Sequence, residues 1–279
     1  MSAGKRHFDK EAWAEQKQQE RQNLFDTIEE MADKTLSDSG ALTDYLNMQS
    51  MLGKTSVGNT LLVIAQRPDA TYIADYDDWQ KKGRSVRKGE KAILILEADR
   101  EYTRDDGTVG VNFKAKRVFD MAQTYGQPLH QRAQAPIKVK LRALMTDTPV
   151  PVKLSDNVSQ DIGALYSRED KTVYVARGLD GDMLFKLIAC ELAHAELGGS
   201  DAQMAAFASS CAANLLCKRY GVNVPEYDCI PESVSSLSTQ DKRSILGKIR
   251  EAACDMSERI DRNLSAERQQ QRKQDNPQR

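Results

Sequence analysis

The spacing of apolar residues changes twice along the chain, and any fold must absorb both changes. Residues 9–33 (DKEAWAEQKQQERQNLFDTIEEMAD) contain no proline or glycine. They are rich in strong helix formers, and Trp13, Leu24, Ile28 and Met31 can share one face. Helical patterns follow at 40–52 and 56–66, the second stopping ahead of Pro68 because the residue before a proline is pushed out of the helical region. Beyond Pro68 the period shortens. Thr71–Ala74 is β-branched and aromatic, 91–97 (KAILILE) reads as a strand, Asp105-Asp106-Gly107 as a turn, and 110–119 as the returning strand of an antiparallel hairpin.

The second change follows a stretch spotted with Pro128, Pro136, Pro149 and Pro151. Residues 127–154 therefore read as a linker, with a short strand at 137–139. A second hairpin comes next, 163–167 with 172–176, then helices over 181–197, 202–220 (ending at Gly221) and 239–263. The reading is an α+β fold: an N-terminal domain over 1–126 of helices with a small antiparallel sheet, the linker, and a mostly helical domain over 155–263. Residues 264–279 carry almost no apolar side chain and are expected to be a disordered tail.

Charge and cysteine usage narrow the function classes. Forty Lys and Arg against forty-one Asp and Glu leave a net charge of -1, so attraction to nucleic acid must come from a local patch and not from the chain as a whole. No apolar run approaches the roughly 18–20 residues that cross a bilayer, so no membrane partner is expected. The first eighteen residues hold no apolar stretch of the secretory kind, and five cysteines, all in the last third, do not resemble a disulfide framework. A cytoplasmic protein with reduced thiols or a metal is expected.

Two segments carry chemistry. Between Trp79 and Lys91 (WQKKGRSVRKGEK) six cations face one acid, Glu90, a net +5 over thirteen residues. Gly83 and Gly89 allow two tight turns that gather these cations at a sheet edge. Single-stranded nucleic acid asks for clustered cations together with aromatic faces, and Trp79 adjoins the cluster with Tyr72 and Tyr76 upstream. A solvated, aggregation-resistant sheet edge is the competing reading of the same residues.

The second segment is Ile188-Ala189-Cys190-Glu191-Leu192-Ala193-His194. A zincin helix sets two histidines at i and i+4 with a glutamate beside the first to activate a zinc-bound water. Here Glu191 and His194 are in register, but position 190 is cysteine. A thiolate can bind zinc, so a site of Cys190, His194 and either Cys211 or Asp201 stands beside a plain core reading in which Cys190 packs as a small hydrophobe.

The order of the segments resembles a known family. The run 56–71 (SVGNTLLVIAQRPDAT), Trp79, 83–93 (GRSVRKGEKAI) and 118–124 (VFDMAQT) is similar, over roughly 8–126, to the N-terminal domain of the ArdC-like antirestriction family. The resemblance implies a single-stranded-DNA-binding domain of plasmids and conjugative elements, with Asn59, Trp79, Arg84, Lys88 and Lys91 as contacts lying in the matching motifs. Residues 163–166, 172–175, the Cys190 helix and 215–221 likewise resemble the zincin-like metallopeptidase domain of that family, over roughly 155–235. There the third metal ligand is a glutamate on the next helix, and the matching position is Ser210.

The expected function is therefore binding and protection of single-stranded DNA during conjugative transfer, with a degenerate, catalytically inert second domain and no cofactor required. Two alternatives remain: a zinc-dependent peptidase acting through Glu191, and an interaction module that recruits conjugation or restriction proteins.

Overall fold

The computed structural model describes residues 10–129, 134–198, 201–223, 225 and 229–275. The chain is α+β. Its elements are α1 (Lys10–Thr35), α2 (Ser39–Leu52), α3 (Val57–Gln66), β1 (Ile73–Ala74), α4 (Tyr76–Lys81), β2 (Arg84–Val86), β3 (Ile93–Thr103), β4 (Val109–Asp120), a 3-10 turn (Met121–Gln123) and β5 (Thr124–Gly126). They continue with α5 (Ile137–Met145), β6 (Val152–Leu154), β7 (Ala164–Ser167), β8 (Thr172–Val175), α6 (Gly181–Leu197), α7 (Ala202–Tyr220), α8 (Glu232–Ser235) and α9 (Thr239–Asp275). No helix among the described residues is long and apolar enough to cross a membrane.

Two compact units result, Met1–Met31 with Leu61–Gln127, and Ala32–Thr60 with Pro128–Arg279. In the first, β1, β4 and β3 form an antiparallel sheet with Ile73 opposite Asp120 and Ile93 opposite Val118, bulged between Ala98 and Glu101. Leu24, Ile28, Leu61, Leu62, Val63, Ile93, Leu96 and Val118 are buried. The hairpin is apolar on its core side only as far as Leu96; beyond Glu97 β3 is exposed. A second ribbon pairs β2 with β5, setting Ser85 opposite Tyr125.

In the second unit β6 pairs with β8 in parallel and β7 with β8 antiparallel. Helices α2, α6 and α9 pack against α7, and α5 packs against α6 and α9. Most of α7 is buried, from Ala205 to Tyr220, and its alanines let neighbours approach closely. It stops at Gly221, in the left-handed conformation.

Both helix-rich segments and both hairpins stand where the period changes place them, but three boundaries differ. Residues 127–154 are not a linker. They supply α5, which packs against α9, and β6, which joins the second sheet. The alternation of Ile137, Val139 and Leu141 imitates a strand, yet the buried face is Lys140, Ala143 and Leu144, the i, i+3, i+4 pattern of a helix. Residues 32–60 cluster with the second unit, so the N-terminal 126 residues are not one body. The third difference is at the tail. Helix α9 continues to Asp275 where a disordered tail from 264 was expected; Glu, Gln, Arg and Lys propagate a helix, and the first proline comes only at Pro277.

Candidate functional site

Helix α4 begins at Asp75, whose carboxylate accepts the Asp78 N–H at 2.9 Å. This short helix turns Trp79 into the core, where the residue is 0 % exposed. Its indole N–H donates to the Phe119 carbonyl at 2.9 Å, and Tyr72 meets the ring edge to face at 5.4 Å. The stacking role expected of Trp79 is thereby corrected: the ring anchors α4 to β4 and offers no face to a ligand. A buried indole that finds a carbonyl partner is the favourable solution for a large amphipathic ring.

The basic segment is laced to the strand that follows β4. Gly83 and Gly89 adopt φ of 68° and 88°, the left-handed turns that gather the cations. Arg84 donates to Thr124 Oγ1 at 2.8 Å, to the Gln127 carbonyl at 2.5 Å and to the Thr124 carbonyl at 3.3 Å. The Arg87 N–H reaches the Gln123 carbonyl at 3.0 Å, and its guanidinium donates to the Ala122 carbonyl. Gln123 Nε2 donates to the Lys91 carbonyl at 2.8 Å and to Glu90 at 3.0 Å.

Beneath this sits Asp120, buried, accepting the N–H groups of Thr71 (2.8 Å), Tyr72 (3.1 Å) and Ala122 (2.7 Å). The Asp120 N–H in turn donates to Gln123 Oε1 at 2.9 Å, closing a capping box around the 3-10 turn. The motif residues Asp120, Gln123 and Thr124 thus moor the basic segment. Asp120→Ala leaves three backbone donors unsatisfied, and a loss of about 3 kcal/mol is expected in urea denaturation, with Asp120→Asn losing less.

The electrostatic consequence is specific. Arg84 and Arg87 are held by neutral carbonyl and hydroxyl oxygens, so their charges are fixed in place but not cancelled. Lys88 and Lys91 are exposed and make no ion pair among the described residues. Lys81 is paired with Asp78 at 2.9 Å, and Lys82 lies 6.0 Å from the Tyr72 ring. Asn59, half-buried on α3, belongs to the second unit and not to the one that carries Arg84, Lys88 and Lys91.

Sequence reasoning passed over the aromatic residue best presented here. Tyr125 is 58 % exposed on β5, opposite Ser85 in the register, and Tyr76 at the start of α4 is 52 % exposed. The signal was the alternation within Thr124-Tyr125-Gly126, which turns Thr124 inward and Tyr125 outward.

In the second unit Cys190, Glu191 and His194 share α6. The Glu191 carboxylate accepts the Tyr166 backbone N–H of β7 at 2.8 Å and lies 3.5 Å from His194 Nδ1. Cys190 Sγ is 3.8 Å from Ser209 Oγ, a hydroxyl that donates to the Ala205 carbonyl at 2.7 Å. The residue facing Cys190 across the helices is therefore Ser209 and not Ser210. Burial, reinforced by Glu191, pushes the Cys190 thiol up to about 11, and burial likewise raises Cys211. Asp201 is spent capping α7 through the Met204 N–H.

His194 Nε2 is buried without a partner, so one atom is placed as a ligand would be. The other donors do not fit. A catalytic zinc takes three protein ligands, and here the neighbours are the Cys190 thiol, a Glu191 carboxylate that accepts the Tyr166 N–H, and Ser209. No group of three His, Cys, Asp or Glu among the described residues is arranged to hold a metal ion. What α6 gains from Glu191 is a latch to the sheet.

The family described as the N-terminal domain of anti-restriction factor ArdC matches residues 9–127. Two crystal structures of the antirestriction protein ArdC from plasmid R388 are similar to the chain. The metal-free structure superposes with a TM-score of 0.58 at 16% identity, covering 86% of this chain and 98% of that one. The Mn(II)-bound structure gives 0.55 at 15%, covering 85% and 97%. No curated protein matches the chain in sequence. Buried Trp79, the Asp120 capping box and the moored basic segment all lie inside the stretch that matches the ArdC N-terminal domain, in a chain that is ArdC-like in fold.

Proposed function

We propose that the first unit binds single-stranded DNA, without strong sequence preference, along the segment from Arg84 to Lys91. Lys88 and Lys91 hold phosphates, Arg84 and Arg87 add charge fixed by their carbonyl partners, and Tyr125 and Tyr76 offer faces to unpaired bases. The observation that carries this is electrostatic. A chain of net charge -1 keeps a +5 segment whose arginines are oriented by neutral oxygens and whose Lys88 and Lys91 are unpaired. A merely solvated edge would not need a guanidinium tied down at three points, as that of Arg84 is.

By analogy with ArdC of plasmid R388, an antirestriction protein, the coating of incoming single strands would shield a mobile element from restriction. In this reading the second unit is a zincin-like body that has lost metal-dependent hydrolysis, its α6 residues given over to Ser209 and Tyr166 contacts.

Fluorescence anisotropy tests the reading. A labelled oligothymidylate of about 20 nucleotides is expected to bind more tightly than a duplex of equal length, with log affinity falling as log salt rises by roughly 0.7 per phosphate neutralised. Equal affinity for duplex, or indifference to salt, would overturn it. For the second unit, protein purified from zinc- and manganese-replete medium is expected to hold less than about 0.1 equivalent of either metal by plasma mass spectrometry, since three ligands are needed to retain one. Near-stoichiometric metal would restore the peptidase reading.

A further inference from the structure

The second unit contains an open cavity of about 570 Å³, lined by Lys140, Lys218, Arg219, Arg268, Tyr220 and Asp261. Its volume falls within the range of small-molecule sites, roughly 300–1,000 Å³. Four cations face one carboxylate, and that carboxylate is already engaged. Asp261 pairs with Arg219 at 2.9 Å and accepts the Tyr220 hydroxyl at 3.0 Å.

Lys140 is the residue that calls for an occupant. It projects from α5, is only 6 % exposed, and makes no hydrogen bond or ion pair among the described residues. Its stem is packed, while its ammonium is not shut away from solvent and opens on the cavity with no carboxylate against it among the described residues. Here α5 carries Lys140 on its buried face, beside Ala143 and Leu144, and the side chain reaches the cavity and not a carboxylate. Arg268 on α9 adds a second, exposed cation to the lining.

We propose that this cavity is a binding site for a phosphate ester of nucleotide size, with Lys140 as the counter-charge set in its wall and Arg268 as a second phosphate contact. Tyr220 and Leu264 supply the apolar wall that a base or sugar would cover. The same chemistry is presented by a free nucleotide and by one residue of a DNA strand. The site is independent of the basic segment in the first unit.

Calorimetric titration of the full chain with dTMP is the first arm. Lys140→Met is expected to weaken binding at least about tenfold, as loss of a charge-assisted bond implies, while Arg268→Ala weakens it less. Methionine keeps the packed stem of Lys140 and breaks no hydrogen bond or ion pair among the described residues, so Tm should be unchanged, which separates a ligand role from a structural one. The second arm uses a short oligothymidylate on the Lys88→Glu/Lys91→Glu background, so that the basic segment does not contribute. Lys140 dependence in either arm supports the site, and the arm that shows it names the source. If neither arm depends on Lys140, or if Lys140→Met lowers Tm along with binding, the proposal is overturned. Unchanged dTMP binding in Lys88→Glu/Lys91→Glu keeps this outcome distinct from failure of the strand-binding reading.

Discussion

Trp79→Ala is expected to destabilise the first unit by about 3–5 kcal/mol, the range for removing a large aromatic ring from a packed core. The ring is fully buried, so truncation leaves a cavity at the contact between α4 and β4. It also strands the Phe119 carbonyl, whose donor is the indole N–H. Trp79→Phe keeps most of the volume and loses the bond, and about 1–2 kcal/mol is expected. Urea denaturation followed by circular dichroism measures both.

The two variants also separate anchoring from stacking. If Trp79 holds the fold, Trp79→Phe remains folded and binds oligothymidylate within about twofold of the parent, since no ring-to-base contact is lost. A ring that stacks on bases would instead cost about 1–3 kcal/mol of affinity on alanine substitution, with quenching of its emission on binding. Trp13, the other tryptophan, is exposed, so the Trp13→Phe background isolates the Trp79 signal. Oligonucleotide should leave that signal essentially unchanged.

Reversing two charges in the basic segment should have the largest effect on binding. Lys88 and Lys91 are exposed and unpaired among the described residues, so Lys88→Glu/Lys91→Glu removes two phosphate contacts without breaking an internal ion pair. A fall in affinity on the order of 100-fold is expected at low salt, with the salt slope reduced by about 1.4, or 0.7 per contact. Tm should stay within about 1 °C, because exposed charges contribute little to folding. Lys81→Glu serves as the comparison. Lys81 is already paired with Asp78, and its replacement should weaken binding less.

What was legible in the sequence followed from local rules. The stop before Pro68, the Asp105-Asp106-Gly107 turn and the helix end at Gly221 are each dictated by one or two residues, and the elements stand accordingly. What was not legible depended on contacts made at long range. Nothing local tells that Ile137–Met145 will be a helix; its packing against α9 decides between two periods. Nothing local tells that the indole of Trp79 will meet the carbonyl of a residue forty positions later.

The site divides the same way. The cluster of cations from Lys81 to Lys91 is visible as composition. That Arg84 and Arg87 are fixed by carbonyls of 122–127 while Lys88 and Lys91 stay free requires the fold. Ser209 facing Cys190, one place from the expected Ser210, shows how a single helical step of about 100° decides which side chain enters a site.

The account rests on unpaired bases lying against the ribbon of β2 and β5. Photo-crosslinking the full chain to an oligonucleotide carrying 5-iododeoxyuridine, followed by peptide mapping, tests this most directly. Crosslinks are expected at Tyr125 and Tyr76, the exposed rings beside the basic segment, and should fade in Lys88→Glu/Lys91→Glu. Crosslinks confined to the far end of the β3–β4 hairpin or to the second unit, with none at either tyrosine, would contradict it.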